Sequence, residues 1–162
     1  MTDAGQRLQR LLELVAREEE HLLGVIDRLF PAADKTQLSA SWLAGVLASP
    51  EGIDRLESFV GKFSRMQDTL MDKLLPAFLE AVGERTGTAL DNLNRAQRLG
   101  LVADPDQWLG MRLLRNRLVH EYVEDPAELA GALTKARTLA GELSKTYRSI
   151  RAYAARHLAG SA

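Results

Sequence analysis

The chain has 162 residues, no cysteine and a formal net charge of −1, so one domain is expected, while disulfides, thiolate nucleophiles and dominant nonspecific attraction to nucleic acid are excluded. Hydrophobic residues make up 46% and charged residues 27%, which places the chain with globular proteins and away from disordered ones. The opening MTDAGQRLQR lacks the apolar core of a signal peptide, and no apolar run approaches the roughly 20 residues that span a bilayer, so no membrane partner is expected and the cytoplasm is the expected location.

Apolar residues recur at spacings of three and four along almost the whole chain, the period of a helix. Leu8, Leu12, Val15, Leu22, Ile26 and Leu29 form the first stripe and Pro31 marks its end, which predicts a helix of about 25 residues. Its acids, Glu18, Glu19 and Glu20 among them, are expected on a solvated face. A short second helix is predicted over 38–47, with Trp42, Leu43, Val46 and Leu47 as its apolar side. Pro50 opens a long segment carrying Ile53, Leu56, Val60, Phe63, Leu70, Leu74, Phe78 and Val82. Pro76 inside it predicts a kink, because proline removes a helical hydrogen bond and its ring collides with the preceding turn.

GERTGT at 83–88 reads as a turn, and 89–99 as a short helix that Gly100 ends. Asp104 with Pro105, and then Asp125 with Pro126, are pairs of cap and first helical residue, so the last two helices start there. The first of these carries its apolar pattern from Trp108 to Tyr122, and the final one carries Leu129, Leu133, Ala136, Leu143, Ile150 and Leu158. With no repeat, linker or long alternating run, the expected fold class is all-α: an antiparallel bundle of about five to six helices, formed by residues 1–162 as a single domain.

One octapeptide, RNRLVHEY at 115–122, stands out. The three-four spacing puts Trp108, Met111, Arg115, Leu118 and Tyr122 on one helix face. Four of these are apolar or aromatic and the fifth is a permanent cation, which needs a partner if it is buried. Arg112, Asn116 and His120 form a second, polar stripe. His120 lies five residues after Arg115, about 140° further around an ideal helix, so one straight helix does not aim both side chains at one atom. Either the helix distorts near His120, or a symmetric dimer brings two copies of the stretch into a composite cleft; the dimer is the expectation.

Arg115, four residues, His120, one residue and Tyr122, with Asn116 directly after the arginine, closely resembles the signature of HEPN domains, specifically the HepT-like toxins. The flanking QRLGLVADPDQWLGMRLLRNRLVHEY and DPAELAGALTKARTLAGELSK carry the same resemblance, which covers residues 53–158. The first 50 residues, with a longer lead and an extra short helix around Trp42, depart from it. The resemblance implies the toxin of a toxin–antitoxin pair, a homodimeric endoribonuclease that needs no metal or other cofactor. In such enzymes the ribose 2′-hydroxyl attacks the adjacent phosphate and leaves a 2′,3′-cyclic phosphate and a 5′-hydroxyl. Carried over by position, His120 is the acid/base group, Arg115 the phosphate stabiliser and Asn116 a positioning hydrogen-bonder. Histidine titrates near neutrality and arginine grips phosphate bidentately, so the residue types suit these roles. Tyr122 would be the residue to which the cognate antitoxin, a minimal nucleotidyltransferase, attaches AMP.

Other readings stand beside this one. Arg115 is equally able to form a structural ion pair with an acid of the long third helix, such as Asp68 or Asp72. A non-catalytic HEPN-like module would use the same pocket to bind a nucleotide or to dock a nucleotidyltransferase. A plain helical scaffold would have Arg115 salt-bridged and His120 packed. Arg112 and Arg117 are expected on solvated flanks within reach of phosphate. Between Leu129 and Ala162 there are six Lys or Arg residues against Glu142 alone; this basic arc reads either as a solvated face that balances the acidic first helix or as a track for an RNA backbone, for which Arg148 and Arg151 are the candidates. Tyr147 and Tyr153 suit packing as well as base stacking.

Overall fold

The computed structural model describes residues 2–31, 38–120 and 125–158. Among the described residues every regular element is helical and there is no strand. The elements are α1 (Asp3–Leu29), α2 (Ala40–Leu47), α3 (Pro50–Thr69), a π-helical turn (Leu70–Leu74), α4 (Leu75–Ala81), α5 (Ala89–Arg98), α6 (Pro105–His120) and α7 (Pro126–Leu158). No helix among the described residues is long and apolar enough to cross a membrane.

The helix starts follow from local chemistry. Thr2, Ser39, Ser49 and Thr88 each turn a hydroxyl back onto an amide of the first turn, as in the 3.0 Å bonds from Gly5 N–H to Thr2 and from Trp42 N–H to Ser39. Thr88 and Asp91 cap each other reciprocally. Asp104 accepts from the Asp106 amide at 3.0 Å, and Asp125 from the Ala127 amide at 3.1 Å, so both aspartate and proline starts form as the sequence predicts. Gly100, at φ 77°, ends α5 in the left-handed conformation that a side chain would oppose.

Pro76 does not break the long third segment. In the π turn the Leu75 N–H donates to the Leu70 carbonyl, five residues back. One extra residue is thereby absorbed just ahead of the ring, and α3 runs on into α4. The distortion expected at Pro76 is present as this π turn.

Cross-helix pairs set the directions. Phe30 meets Phe59 and Glu18 meets Thr69, so α1 and α3 are antiparallel. The Tyr147 hydroxyl donates to the Leu12 carbonyl at 3.3 Å, and Ser144 and Arg148 meet Glu19, so α7 is antiparallel to α1. Arg115 meets Asp68 and Arg112 meets Asp72, which sets α6 against α3. The result is an up-down-up-down bundle of α1, α3 with α4, α6 and α7, in which α2 and α5 occupy two of the connections. Its core includes Val15, Leu22, Phe59, Phe63, Met66, Phe78, Met111, Leu133, Leu143 and Ile150, each no more than 1% exposed. Fully burying a side chain of this kind contributes about 1.5–3 kcal/mol, which is why a stripe on each of four helices suffices.

One expectation is corrected. Glu20 is exposed, but Glu18 and Glu19 are each only 8% exposed. Successive helix residues point about 100° apart, so Glu18 faces α3 while Glu19 faces α7. Glu19 accepts from Ser144 Oγ and, at 3.1 Å, from Arg148 Nε. Glu18 Oε2 lies 3.0 Å from Thr69 Oγ1, its Oε1 has no partner among the described residues, and burial raises its pKa above the ordinary 4.5 against the lowering effect of Thr69. Thr69 Oγ1 is also 3.0 Å from the Arg65 carbonyl. A single hydroxyl proton serves one of these oxygens; a protonated Glu18 satisfies both contacts by donating to Thr69.

The raised pKa makes the folded state bind more protons than the unfolded chain between 4.5 and the folded value, so this group lowers stability as pH rises through that window. Glu18→Gln supplies an N–H to Thr69 at every pH. The variant should be more stable than wild type at neutral pH, by about 1 kcal/mol for one restored hydrogen bond. The gain should vanish in urea titrations run below pH 4.5, the ordinary carboxylate value.

Candidate functional site

The candidate site lies on α6, which the apolar residues Trp108, Met111, Leu114 and Leu118 bind to the bundle, each at most 3% exposed. Between them the polar residues emerge in order. Arg112, Asn116 and Arg117 are exposed and Arg115 is half-buried, so the described members of the two stripes, Trp108, Met111, Arg115 and Leu118 on one and Arg112 and Asn116 on the other, divide as the sequence reading expects. Leu114 joins the buried face, and Leu113 beside it is 70% exposed.

Arg115 is held from α3. Its Nη1 lies 2.5 Å from Asp68 Oδ1 and 3.4 Å from Gln67 Oε1, and its Nη2 lies 3.3 Å from Asp68 Oδ2. The carboxylate therefore grips the end of the guanidinium, across its two terminal nitrogens. Nε is buried and among the described residues has no hydrogen-bond partner, which leaves the side edge, Nε with the second N–H of Nη2, without an acceptor there. An unsatisfied buried donor costs about 1–3 kcal/mol. Gln67 is fully buried and its Nε2 donates to Met71 Sδ at 3.7 Å, so the amide that meets Arg115 is itself fixed.

The neighbouring cations are paired as well. Arg112 Nη2 lies 2.6 Å from Asp72 Oδ1 and Arg117 Nη2 lies 2.9 Å from Glu128 Oε2. The ion pair weighed from the sequence for Arg115 is present with Asp68, and Asp72 goes to Arg112. Arg112 and Arg117 occupy the solvent-facing flanks expected of them. The side chain of His120 and the whole of Tyr122 lie outside the described residues, so the geometry places Arg115, Asn116, Arg112 and Arg117 and leaves the other two motif residues unplaced.

On α7, Arg148 is bonded to Glu19 and Arg151 sits 5.4 Å from the Tyr147 ring centroid. Both are exposed beyond these contacts. Tyr147 is 1% exposed and packs in the core, while Tyr153 is half-buried, edge-on to Phe78 and with the His157 ring centroid 4.2 Å away. Sequence spacing did not reveal Gln67, because a buried amide 48 positions from Arg115 carries no local signal. Among the described residues, no group of three or more histidine, aspartate or glutamate side chains is placed to hold a metal ion.

Comparison of the chain with protein-family models finds no match, nor does comparison with curated proteins or with solved structures.

The two ion pairs between α6 and α3 differ in burial. Side chains of Arg115 and Asp68 are 24% and 48% exposed, and those of Arg112 and Asp72 are 45% and 51% exposed. A double-mutant cycle on Arg115 and Asp68 should give a coupling near 1 kcal/mol, the upper end for partly exposed pairs, and the cycle on Arg112 and Asp72 about 0.3 kcal/mol. Urea unfolding of the four alanine variants and two doubles measures both.

Proposed function

We propose that the chain is a HEPN-type toxin, a metal-independent endoribonuclease that acts on the α6 face. The observation that carries this reading is the guanidinium of Arg115: an arginine set into an apolar helix face, fixed end-on by Asp68, with its side edge left without an acceptor. Nε and Nη2 together form the fork that binds two oxygens of a phosphate. A carboxylate that orients an arginine while leaving this fork unused suits a group that must hold charge developing on a pentacoordinate phosphorus.

In this reading the ribose 2′-oxygen attacks phosphorus, His120 takes the 2′-proton or returns a proton to the departing 5′-oxygen, and Arg115 holds the equatorial oxygens. The cyclic phosphate and 5′-hydroxyl are the products. Asn116, exposed one residue after Arg115, positions the substrate. A second copy of the chain completes the cleft, since Arg115 and His120 diverge around one helix. Arg112, Arg117, Arg148 and Arg151 supply charge along the RNA backbone. The cognate minimal nucleotidyltransferase would silence the enzyme by adding AMP to Tyr122, beside the cation that RNA requires.

A second reading rests on the same pairs. Three consecutive arginines of the motif helix, Arg112, Arg115 and Arg117, each meet a carboxylate, which favours a non-catalytic HEPN-like module that binds a nucleotide or docks a nucleotidyltransferase, with α6 locked in place.

Total RNA incubated with the purified protein in EDTA separates the two. The ribonuclease reading expects wild type to leave 2′,3′-cyclic phosphate ends. His120→Ala and Arg115→Ala should each lower the rate at least about a hundredfold, as loss of an acid/base or charge-holding group does. Intact RNA with all three proteins, each folded by circular dichroism, would sink the catalytic reading and leave the module.

A further inference from the structure

The bundle carries a second concavity, remote from α6. It is a cavity of about 410 Å³ between the end of α1, the exposed side of α2 and the first turn of α3, in the size range of small-molecule sites. Gly52, buried in that first turn, is separated from the Arg115 partner Asp68 by 16 residues of helix, or about 24 Å at 1.5 Å per residue.

Three features say what this cavity takes. Arg28 and Arg55 both line it, and among the described residues neither has a hydrogen bond or ion pair and no carboxylate lines the cavity. The contrast is with the arginines of α6, whose charges are met by acids. Two arginines on one small cavity, neither met by an acid among the described residues, match an anion of nearly two charges, which a phosphomonoester is at neutral pH.

The second feature is Trp42. It lines the same cavity, half-buried, and is stacked on Phe30 with centroids 5.6 Å apart and planes 22° apart. Phe30 is in turn fixed edge-on by Phe59 and covered by Arg137 at 5.5 Å. An indole anchored in this way is a rigid platform for a second flat ring.

The third is a pair of glycines with opposite meanings. A Cβ on Gly52 would lie 2.0 Å from the Val46 carbonyl oxygen, so Gly52 lets α2 and α3 approach closely enough to close the floor. A Cβ on Gly45 would meet nothing within 4 Å. Glycine inside a helix costs roughly 1 kcal/mol against alanine. Among the described residues no packing contact explains that cost, and Gly45 lines the cavity.

We propose that this cavity binds a small planar molecule that carries a phosphate, with Arg28 and Arg55 on the phosphate and the ring against Trp42. The proposal does not rest on the reading of α6. Serine hydroxyls of Ser41 and Ser49 also line the cavity; that of Ser49 accepts from the Gly52 amide at 3.1 Å and, like that of Ser41, keeps an O–H that can donate to the ligand.

Isothermal titration of the full chain tests it, with AMP as the probe and adenosine and inorganic phosphate as its two halves. AMP should bind saturably, and each half at least about tenfold more weakly. Arg28→Ala and Arg55→Ala, both at exposed positions, should each weaken AMP by about tenfold without lowering the Tm. Gly45→Phe, which grows into open space, should abolish binding while the helical signal is kept. The proposal is overturned by an absence of saturable AMP binding, or by adenosine or phosphate binding as tightly as AMP. It is equally overturned if AMP binding survives Arg28→Ala and Arg55→Ala unchanged, above all where Arg115→Ala removes it.

Discussion

Two adjacent glutamates fix how this bundle is assembled. Apolar stripes drive helices together, but the force is proportional to area and indifferent to small rotations. A buried carboxylate is not indifferent, because leaving it without a donor costs more than any one apolar contact returns. Glu18 and Glu19 sit about 100° apart on α1, one bonded to Thr69 of α3 and the other to Ser144 and Arg148 of α7. Helix α1 is thereby held in rotation against both neighbours at once. With α3 fixed in this way, Asp68 and Asp72 are delivered to the side where α6 docks, and Arg115 and Arg112 have acids to meet.

That delivery shapes what α6 can do. A phosphate approaching Arg115 has two routes. It can compete with Asp68 for the end of the guanidinium, against a carboxylate already placed at 2.5 Å, or it can take the side fork, which costs no existing bond and satisfies the orphaned Nε. The second route is open only to an acceptor that enters where Nε is now buried. Asp68, roughly half exposed, then works as an orienting group whose negative charge is partly screened by water.

Much of the architecture was legible because it depends on near neighbours. Ser49 before Pro50, Asp104 before Pro105 and Asp125 before Pro126 specify helix starts through contacts of two or three residues, and the apolar stripes specify which faces go inward. What was hidden depends on distant partners. Nothing local distinguishes Glu18 and Glu19 from the exposed Glu20; their partners lie 51 and 125 positions away. Pro76 announced a distortion but not its form, since a sharp kink and a π turn relieve the same clash. The cavity was invisible because Arg28, Trp42, Gly45 and Arg55 belong to three helices and share no spacing. Of the α6 motif, the order of residues was legible, and so was the choice of Asp68 or Asp72 as a partner for Arg115; the buried amide of Gln67 was not.

The polar irregularities concentrate on one turn of α3. Gln67 is fully buried and reaches Arg115 on α6, Asp68 grips the same arginine, and Thr69 bonds the buried Glu18 on α1. Two of the three buried polar atoms without a partner among the described residues, Glu18 Oε1 and Arg115 Nε, belong to side chains bonded to this turn, and the π turn begins at the next residue. A partly satisfied polar network is less stable than an apolar core would be at the same place. A helical scaffold has no use for that cost, and an apolar residue at 67 or 69 would pack the seam without it. Sequences break local rules where something other than stability is being served. The turn that breaks most of them here is the one that holds the arginine of the RNRLVHEY motif.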